Sequence, residues 1–223
     1  MADPFVIPIS IGMVQAFLIR GERAVLVDTL MPGNAPRIVQ ALADQGLAPS
    51  DLALILITHA HADHVGSAAA LKALTGAPIA IHAADAAYLK AGDGPALQGV
   101  GWAGKLMAGI ISVMPQRSEP ISADIVFDGE LDLAPYGVAG RVIPTPGHTY
   151  GSVSVTLDSG DVLVGDLLRG GWVGKDRPKM PYLTYDLAEV KRSIAKIAAL
   201  QPRKIYTAHG GPFEPSALNE LLK

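Results

Sequence analysis

The amino-acid sequence predicts an α/β fold built from short buried strands and amphipathic helices. A uniformly apolar run at residues 52–57 is too short for a surface helix and is typical of a strand buried on both faces. Apolar residues then recur at helical spacing at 64–74 and 83–90, whereas at 152–157 they alternate with polar residues, as in a hairpin strand. Hydrophobic residues make up 49% of the chain and charged residues 17%, which is typical of a packed globular protein.

The predicted elements follow in order from this periodicity and from the turn residues between them. The first half predicts strands at 5–9, 14–19, 24–27, 52–57 and 78–81, with helices at 35–45, 64–74 and 83–90. The second half predicts strands at 124–127, 131–133, 141–143, 152–157, 162–164 and 204–207. Asp186, with Glu189 three residues later, resembles a capping box that starts a last long helix, which Pro202 ends. We expect one domain over residues 1–223.

Charge and composition disfavour several classes of function. The net charge is −3, from 18 basic and 21 acidic residues without a long run of either sign, so nucleic acid is not an expected partner. The chain has no cysteine, which excludes a thiol nucleophile, a disulfide and a thiolate metal ligand. Residues 1–10 lack a signal-peptide pattern, and no apolar run approaches the roughly 18–20 residues of a membrane span. We therefore expect a cytoplasmic protein with no membrane partner.

A dense cluster of potential metal ligands follows the predicted strand at 52–57. The segment from His59 to His64 reads His-Ala-His-Ala-Asp-His and places three imidazoles and one carboxylate within six residues. In an extended segment His59 and His61 point to the same side, while Asp63 and His64 come round on the turn into the next helix. A surface or capping role would explain a single histidine here but not the whole cluster. The cluster predicts two adjacent metal positions.

Three further candidates, His148, Asp166 and His209, lie at the ends of predicted strands beside glycine-containing loops. They belong to the short motifs Gly-His-Thr, Gly-Asp and His-Gly. Five of the six histidines in the chain thus fall into one set. The sixth, His82, is interpreted as structural, with a hydrogen bond at the start of the helix at 83–90.

The H-x-H-x-D-H loop and the three later motifs, taken in this order, resemble the metallo-β-lactamase superfamily over residues 28–209. The resemblance implies a four-layer αβ/βα sandwich in which helices flank two mixed β-sheets and the metals lie at one edge. It also implies that Asp28 supports the metal loop by orienting its ligands. The implied ligand sets are His59, His61 and His148 on one metal, Asp63, His64 and His209 on a second, and Asp166 bridging both.

Two cations about 3.5–4 Å apart can share a hydroxide whose pKa is near neutrality, while one of them polarises a substrate oxygen. We therefore predict a metal-dependent hydrolase that cleaves a carboxylic ester, a thioester or a lactone of a small-molecule substrate. Asp63 is the predicted catalytic carboxylate that helps to move a proton. The predicted cofactors are two divalent ions, with zinc as the first choice and iron or manganese as alternatives for the same ligands.

Other branches of the superfamily resemble parts of this pattern. The absence of cysteine excludes β-lactamases with a thiolate ligand, and β-lactamase-like activity is kept only as an alternative. Hydroxyacylglutathione hydrolases normally carry a helical glutathione-binding domain after the last histidine, whereas 14 residues follow His209 here. Acyl-homoserine lactonases often have a tyrosine three residues after the bridging aspartate, where this chain has Arg169. A phosphodiesterase or nuclease, and a sulfur dioxygenase with a single iron, are further alternatives.

Substrate specificity is predicted to reside in two segments that overhang the metals. Residues 91–120 carry six glycines among apolar side chains and are interpreted as a partly helical insertion that acts as a lid. Residues 169–185 follow Asp166 and supply cationic and phenolic groups. The predicted substrate-binding residues are Trp102, Leu106, Arg169, Trp172 and Tyr185, with Met107, Ile110, Lys175 and Tyr182 in the same segments. Each of them alone is as readily explained by packing, but together they predict a pocket for an apolar acyl or lactone group.

Overall fold

The computed structural model describes residues 3–112, 117–170 and 177–221. Its strands are β1 Phe5–Ile11, β2 Val14–Arg20, β3 Ala24–Val27, β4 Leu52–Leu56, β5 Ile79–His82, β6 Gln98–Gly99, β7 Ile125–Phe127, β8 Leu131–Asp132, β9 Gly140–Pro144, β10 Val153–Leu157, β11 Asp161–Leu163, β12 Leu183–Thr184 and β13 Lys204–Tyr206. Its α-helices are α1 Ala35–Asp44, α2 Ala62–Val65, α3 Ala68–Thr75, α4 Ala83–Ala91, α5 Gly101–Ser112 and α6 Leu187–Ala199. Short 3₁₀ segments lie at Pro49–Asp51, Ala134–Tyr136, Gly165–Leu167 and Pro215–Glu220.

Two mixed sheets form the framework. The first has the strand order β1-β2-β3-β4-β5-β7, with antiparallel pairing among β1, β2 and β3 and parallel pairing from β3 to β7. The second has the order β13-β11-β10-β9-β8, in which the β11–β13 pair alone is parallel. A separate antiparallel ribbon pairs β6 with β12. The chain therefore returns to the sheets through helices where pairing is parallel and through hairpins where it is antiparallel.

Three apolar cores separate four layers. The first core packs one face of the six-stranded sheet against helices, and it includes Leu26 and Ile38. The second lies between the two sheets and includes Val25 and Val155. The third covers the other face of the five-stranded sheet with α6, through Ile194. Because the adjacent residues Val25 and Leu26 enter different cores, β3 is buried on both faces, and the predicted αβ/βα sandwich is confirmed.

The predicted helix at 64–74 is interrupted, so that α2 and α3 are separate helices. The backbone N–H of Ser67 donates to the Thr29 hydroxyl at 3.2 Å instead of continuing the helical ladder. Gly66 approaches the loop after β3 so closely that a Cβ atom would lie 2.3 Å from the Pro32 nitrogen. Tertiary contacts with that loop therefore override the continuity that helical periodicity alone predicts.

Two predicted helix starts are present. His82 precedes α4, and its Nδ1 accepts a hydrogen bond from the Ala84 N–H at 3.3 Å, which agrees with the structural role predicted for this histidine. Asp186 precedes α6, and its Oδ1 accepts from the N–H groups of Ala188 and Glu189 at 2.7 and 3.1 Å. Both side chains satisfy N–H groups that a helix start leaves without an intrahelical partner.

The predicted insertion at 91–120 contains β6 and α5, and it is joined to the rest of the molecule by the β6–β12 ribbon. In that ribbon Gly99 pairs with Leu183 and Gln98 with Thr184. The Val100 N–H also donates to the Tyr182 carbonyl at 2.8 Å. Across the described ranges, no helix has both the length and the apolar character needed to cross a bilayer.

Candidate metal centre

The seven predicted ligands converge into one cluster. His59 and His61 follow β4, and His61 is the extended residue directly before α2, whose first turns carry Asp63 and His64. The remaining three ligands follow strands of the other sheet: His148 lies after β9, Asp166 in the turn after β11 and His209 after β13. Strand ends from both sheets therefore assemble residues that are far apart in the sequence.

The ligand atoms of these residues form three overlapping groups, in each of which all atoms lie within 4.8 Å of one another. The groups are His59, His61 and His148; Asp63, His64 and His209; and His59, His64 and Asp166. We call the first group the three-histidine cluster and the second the mixed cluster. Asp166 faces both, because its Oδ2 lies 3.5 Å from His148 Nε2 and its Oδ1 lies 3.4 Å from His64 Nε2. This is the position expected of a bridging ligand.

Three buried atoms of the centre, His59 Nε2, His64 Nε2 and Asp166 Oδ1, have no well-formed hydrogen bond among the described residues, and the last two face each other at 3.4 Å. A buried polar atom without a partner costs about 1–3 kcal/mol, so such atoms gathered at one point indicate that something other than protein binds there. His61 Nδ1 lies 3.0 Å from His148 Nε2, and Asp63 Oδ2 lies 3.2 Å from His209 Nε2. Such separations match the edge of roughly 3.3 Å of a tetrahedron around an ion with bonds of about 2.0–2.1 Å. The residues therefore fit divalent metal ions.

Two rings of the three-histidine cluster, those of His59 and His148, are uncharged. Burial lowers the pKa of His59 well below its ordinary value, and the neighbouring His64 lowers it further. Burial also lowers the pKa of His148 to about 4, against the opposing effect of Asp166. At neutral pH both rings are uncharged and offer a lone pair, which is the form that binds a metal.

The histidines of the mixed cluster, His64 and His209, are protonated and therefore charged. Burial opposes a charge on His64, but the carboxylates of Asp63 and Asp28 outweigh it and raise the pKa of His64 well above its ordinary value. Burial likewise opposes a charge on His209, yet Asp166 and Asp63 raise its pKa to about 10. In the protein alone, protons on these two histidines neutralise the carboxylates. A metal ion must displace those protons when it binds.

Each ring nitrogen that points away from the three-histidine cluster has a hydrogen-bond partner. The pairs are His59 Nδ1 with Thr58 Oγ1 at 3.1 Å, His61 Nε2 with the Pro95 carbonyl at 3.0 Å, and His148 Nδ1 with the Leu183 carbonyl at 2.8 Å. Leu183 belongs to β12 and Pro95 lies three residues before β6. The β6–β12 ribbon and its flank therefore orient two of these three ligands, and partners of this kind strengthen metal binding.

The mixed cluster is oriented from other parts of the fold. Asp28 lies directly after β3 with φ of 61°, and its Oδ2 is 2.8 Å from His64 Nδ1. Its Oδ1 accepts a hydrogen bond from the Thr58 N–H at 2.8 Å. The Met13 carbonyl lies 3.2 Å from His209 Nδ1. The supporting place that the family resemblance implies for Asp28 is thus occupied by its carboxylate.

A buried carboxylate that the sequence analysis missed holds two ligand loops together. Asp85, in the first turn of α4, accepts hydrogen bonds from the Ala60 N–H at 3.0 Å, the Thr149 hydroxyl at 2.9 Å and the Gly151 N–H at 3.0 Å. Ala60 lies between two ligands of the motif, and Thr149 directly follows His148. An aspartate near a helix start looks like an ordinary capping residue, so no local sequence signal distinguishes Asp85.

A cavity of about 880 Å³ opens beside the centre. The ligands that line it are His61, Asp63, His148, Asp166 and His209. Its apolar wall includes Met13, Leu97, Met107, Pro181 and Leu183, and its polar side chains include Gln15, Arg169 and Tyr182. The cavity thus combines potential metal ligands with an apolar wall, as small-molecule sites commonly do.

The predicted substrate-binding residues are distributed unevenly around this cavity. Arg169 lines it. Trp102 and Leu106 do not, because their side chains are 82% and 61% exposed on the outer face of α5, while Met107 of the same helix lines the cavity. Tyr185 also lies outside the lining and is 39% exposed, with its ring beside that of Tyr150. Trp172 and Lys175 fall outside the described residues.

The comparisons identify the family. The family model described as the metallo-beta-lactamase superfamily matches residues 9–209 of the chain. The chain belongs to this superfamily. The probable metallo-hydrolase YflN of Bacillus subtilis (strain 168) is 30% identical over 204 residues, which are 84% of this chain and 75% of that protein. A hydroxyacylglutathione hydrolase of Cupriavidus taiwanensis is 31% identical over 194 residues, which are 85% of this chain and 59% of that protein.

A solved structure supports the fold of this superfamily member. The crystal structure of BLEG-1, described as a B3 metallo-beta-lactamase, aligns with a TM-score of 0.73 over 99% of both chains, at 23% identity. At this identity the likeness speaks for the metallo-beta-lactamase fold alone. Together with family membership, the cluster of histidines and aspartates is compatible with divalent metal binding, and the chain is a metallo-hydrolase.

Proposed function

We propose that this metallo-hydrolase uses two divalent ions, with zinc as the first choice, to cleave an ester, a thioester or a lactone that has an apolar acyl part. The observation that carries the proposal is that five of the seven ligands and an apolar wall line the same cavity. An acyl chain lying against Leu97, Met107 and Leu183 would place its carbonyl group beside the ligands.

Bound divalent ions would supply a hydroxide nucleophile at neutral pH and would polarise the carbonyl oxygen. The three-histidine cluster would hold one ion, the mixed cluster the other, and Asp166 would lie between them. Asp63 is the best placed for proton transfer, because it lines the cavity and its side chain is 28% exposed. Burial opposes its ionisation, but His64 and His209 hold its pKa below the usual range. Asp63 is therefore ionised in the protein alone, and its position in the cavity lining supports it as the group that moves a proton during hydrolysis.

Two observations favour acyl substrates over phosphodiesters. Nucleic-acid and phosphodiester backbones are bound through several cationic side chains, and Arg169 is the one lysine or arginine in the described lining of the cavity. A relative with 31% identity is named for hydrolysis of hydroxyacylglutathione, which supports a thioester among the candidate bonds.

Metal analysis followed by an initial-rate screen tests the proposal directly. We expect close to two ions per chain after loading with zinc, manganese or iron, because seven nitrogen and oxygen ligands exceed what one tetrahedral ion uses. The screen compares thioester, lactone, carboxylate ester, β-lactam and phosphodiester substrates on the loaded protein. Faster turnover of a β-lactam or a phosphodiester than of every acyl substrate would overturn the acyl assignment, and a stoichiometry near one would overturn the two-ion arrangement.

The apolar wall predicts how rate depends on acyl length. From acetyl to about hexanoyl esters, kcat/KM should rise, with each buried CH₂ contributing up to roughly 0.8 kcal/mol. Met107→Ala and Leu97→Ala should flatten this dependence, because both side chains line the cavity. Leu106→Ala is the matched control, since that side chain points outward from the same helix. A flat series in the unmodified chain, or equal effects of Met107→Ala and Leu106→Ala, would contradict an acyl site at this wall.

A further inference from the structure

Arg169 is a cation in the cavity whose charge no acidic side chain of the described ranges neutralises. It lies three residues after Asp166 and lines the same cavity. No carboxylate of the described residues lies within ion-pair distance of its guanidinium group. Its Nη1 donates to the Gly170 carbonyl at 3.1 Å, and its Nε is buried without a partner among the described residues. The guanidinium group carries five N–H donors, so its Nη groups retain donors beyond the Gly170 contact that an anion in the cavity can use.

The guanidinium group is also held in place before any ligand binds. Its Cζ lies 3.3 Å from the centroid of the Tyr182 ring, which is a stacked cation–π arrangement. The backbone of Arg169 pairs with Lys179 through hydrogen bonds of 3.1 and 2.8 Å. The next residue, Gly170, donates its N–H to the His209 carbonyl at 2.5 Å. Stacking of its guanidinium group on Tyr182 and hydrogen bonds of its backbone thus both fix Arg169 relative to the candidate metal centre.

The charges around the cavity favour an anionic partner. The carboxylates in its described lining are Asp63 and Asp166, and both belong to the ligand groups. A planar guanidinium fork matches a carboxylate with two parallel hydrogen bonds, which an ammonium group cannot do. We propose that Arg169 binds a carboxylate on the substrate. Resting on the proposed function, this identifies the preferred substrate as an acyl compound that is apolar along its chain and carries an anionic group away from the scissile bond.

Two esters of equal acyl length test the proposal: 4-nitrophenyl hexanoate, which is neutral, and mono-4-nitrophenyl adipate, which ends in a carboxylate. Arg169→Gln in the zinc-loaded chain should lower kcat/KM for the adipate ester by roughly 10–100-fold, mainly through KM, since the contact is made in the ground state too. The rate with hexanoate should stay within about threefold. Arg169→Lys should restore part of the loss, because it keeps the charge without the fork.

Lys179→Gln is the matched control, because Lys179 is an exposed cation on the neighbouring segment that does not line the cavity. It should leave both rates unchanged. Equal losses for the two esters in Arg169→Gln would show that the arginine is structural, and unchanged rates for both would show that it binds nothing. Either result overturns the proposal.

A binding experiment separates this proposal from the hydrolase assignment. Calorimetry on the zinc-loaded chain compares hexanesulfonate with methyl hexyl sulfone, which has the same tail and no charge. We expect Arg169→Gln to weaken sulfonate binding at least about tenfold and to leave the sulfone unchanged. Sulfonate binding that depends on Arg169, in a chain that cleaves neither ester, would overturn the function and retain the anion site. If the chain hydrolyses the esters but sulfonate binding is absent or independent of Arg169, the anion site is overturned and the hydrolase function is retained.

Discussion

The two halves of the metal centre are supported by different parts of the molecule. Two ligands of the three-histidine cluster are oriented by backbone carbonyls of Pro95 and Leu183, which belong to the wall of the cavity. The mixed cluster is oriented by the buried carboxylate of Asp28 and by the Met13 carbonyl. The three-histidine cluster therefore has two orienting groups in the cavity wall, whereas the mixed cluster has one there, at Met13, and one at the buried end of β3, Asp28.

The two halves also differ in charge. Two histidines of the first, His59 and His148, are neutral at neutral pH, because burial dominates their pKa values. Two histidines of the second hold protons, because carboxylates surround them. The comparison teaches that an ion can bind His59 and His148 without releasing protons from them, whereas an ion that enters the second half must displace protons from His64 and His209.

Removing Asp166, which faces both clusters, should have the largest effect on hydrolysis and on metal occupancy. Asp166→Ala should lower hydrolysis by more than about 100-fold and reduce metal occupancy at both positions, because loss of a ligand exceeds the 10–100-fold effect typical of its supports. His82→Ala is the control, since it should cost only the helix cap, about 1 kcal/mol of stability. Metal content and initial rates measure both. Similar losses in the two variants would mean that Asp166 does not bridge.

Asp85→Ala should damage the junction of the two ligand loops. It leaves the buried N–H groups of Ala60 and Gly151 without an acceptor, each costing about 1–3 kcal/mol, while the Thr149 hydroxyl keeps its contact with Ser152, so we expect a loss of a few kcal/mol in the free energy of unfolding. Chemical denaturation of the metal-free chain measures it. Asp93→Ala removes an exposed aspartate and serves as the control. A change below about 1 kcal/mol for Asp85→Ala would contradict its role as the common acceptor.

Asp28→Asn should weaken the mixed cluster more than the three-histidine cluster, because Asp28 contacts His64 directly and reaches His59 only through the Thr58 hydroxyl. The amide keeps the size of the side chain but removes the charge beside His64, and we expect the affinity of the mixed cluster for its ion to fall by roughly 10–100-fold. Competition with a chelator measures the affinity of each ion. Equal losses for the two ions, or a larger loss for the ion in the three-histidine cluster, would show that the division of support between the two halves is incorrect.

Gly94→Ala tests the opposite half. A Cβ atom at this position would lie 2.7 Å from His61 Cδ2, so the ring or the loop at Pro95 must shift. We expect the ion in the three-histidine cluster to bind up to about 10-fold more weakly, with the mixed cluster unchanged, because the shift disturbs one orienting hydrogen bond. Gly109→Ala, on an open position of α5, is the control. A loss confined to the mixed cluster would reverse the assignment.

The difference in charge predicts how the stability of the metal-free chain depends on pH. The folded pKa of His148 is about 4, below the unfolded value of about 6.5, so its contribution is lost as pH falls from about 6.5 towards 4. The folded pKa of His209 is about 10, so its contribution is complete below about 6.5 and is lost as pH rises towards 10. The Tm of the chelated protein should peak near pH 6.5 and fall by a few degrees on either side.

Zinc provides the comparison for this pH profile. Zinc requires deprotonated ligands. The Tm of the zinc-loaded chain should therefore still fall below pH 6.5, but it should no longer fall above pH 6.5. Thermal unfolding from pH 5 to 9, with and without chelator, measures both curves. A chelated chain whose Tm is flat across this range would contradict the opposite charge states of the two halves.

The sequence predicts the fold and the grouping of the seven candidate ligands, because both depend on the pattern of side chains along the chain. The buried strand before His59 is visible as an apolar run, and the ligands are a rare local density of imidazole and carboxylate. The orienting groups are largely invisible for a physical reason, since the carbonyls of Pro95 and Leu183 are common to every residue type. Asp85 is invisible because its three donors come from segments remote in sequence.

The rotation of α5 is a second point that periodicity does not determine. Apolar residues lie on more than one face of this helix, so the sequence does not say which face meets the cavity. Met107 lines the cavity, whereas Trp102 and Leu106 point outward. The break between α2 and α3 has a similar origin, because the Thr29 hydroxyl that receives the Ser67 N–H comes from a different segment.

The hydroxyl of Thr58 determines which nitrogen of His59 can bind a metal. It lies 2.8 Å from Asp28 Oδ2 and 3.1 Å from His59 Nδ1. A carboxylate only accepts hydrogen bonds. The Thr58 hydroxyl therefore donates its one hydrogen to Asp28 and accepts a hydrogen bond from His59 Nδ1–H. That direction selects the tautomer whose lone pair is on Nε2, before any ion arrives. Thr58→Val would preserve the shape of the site and lose this selection, whereas Thr58→Ser would preserve both.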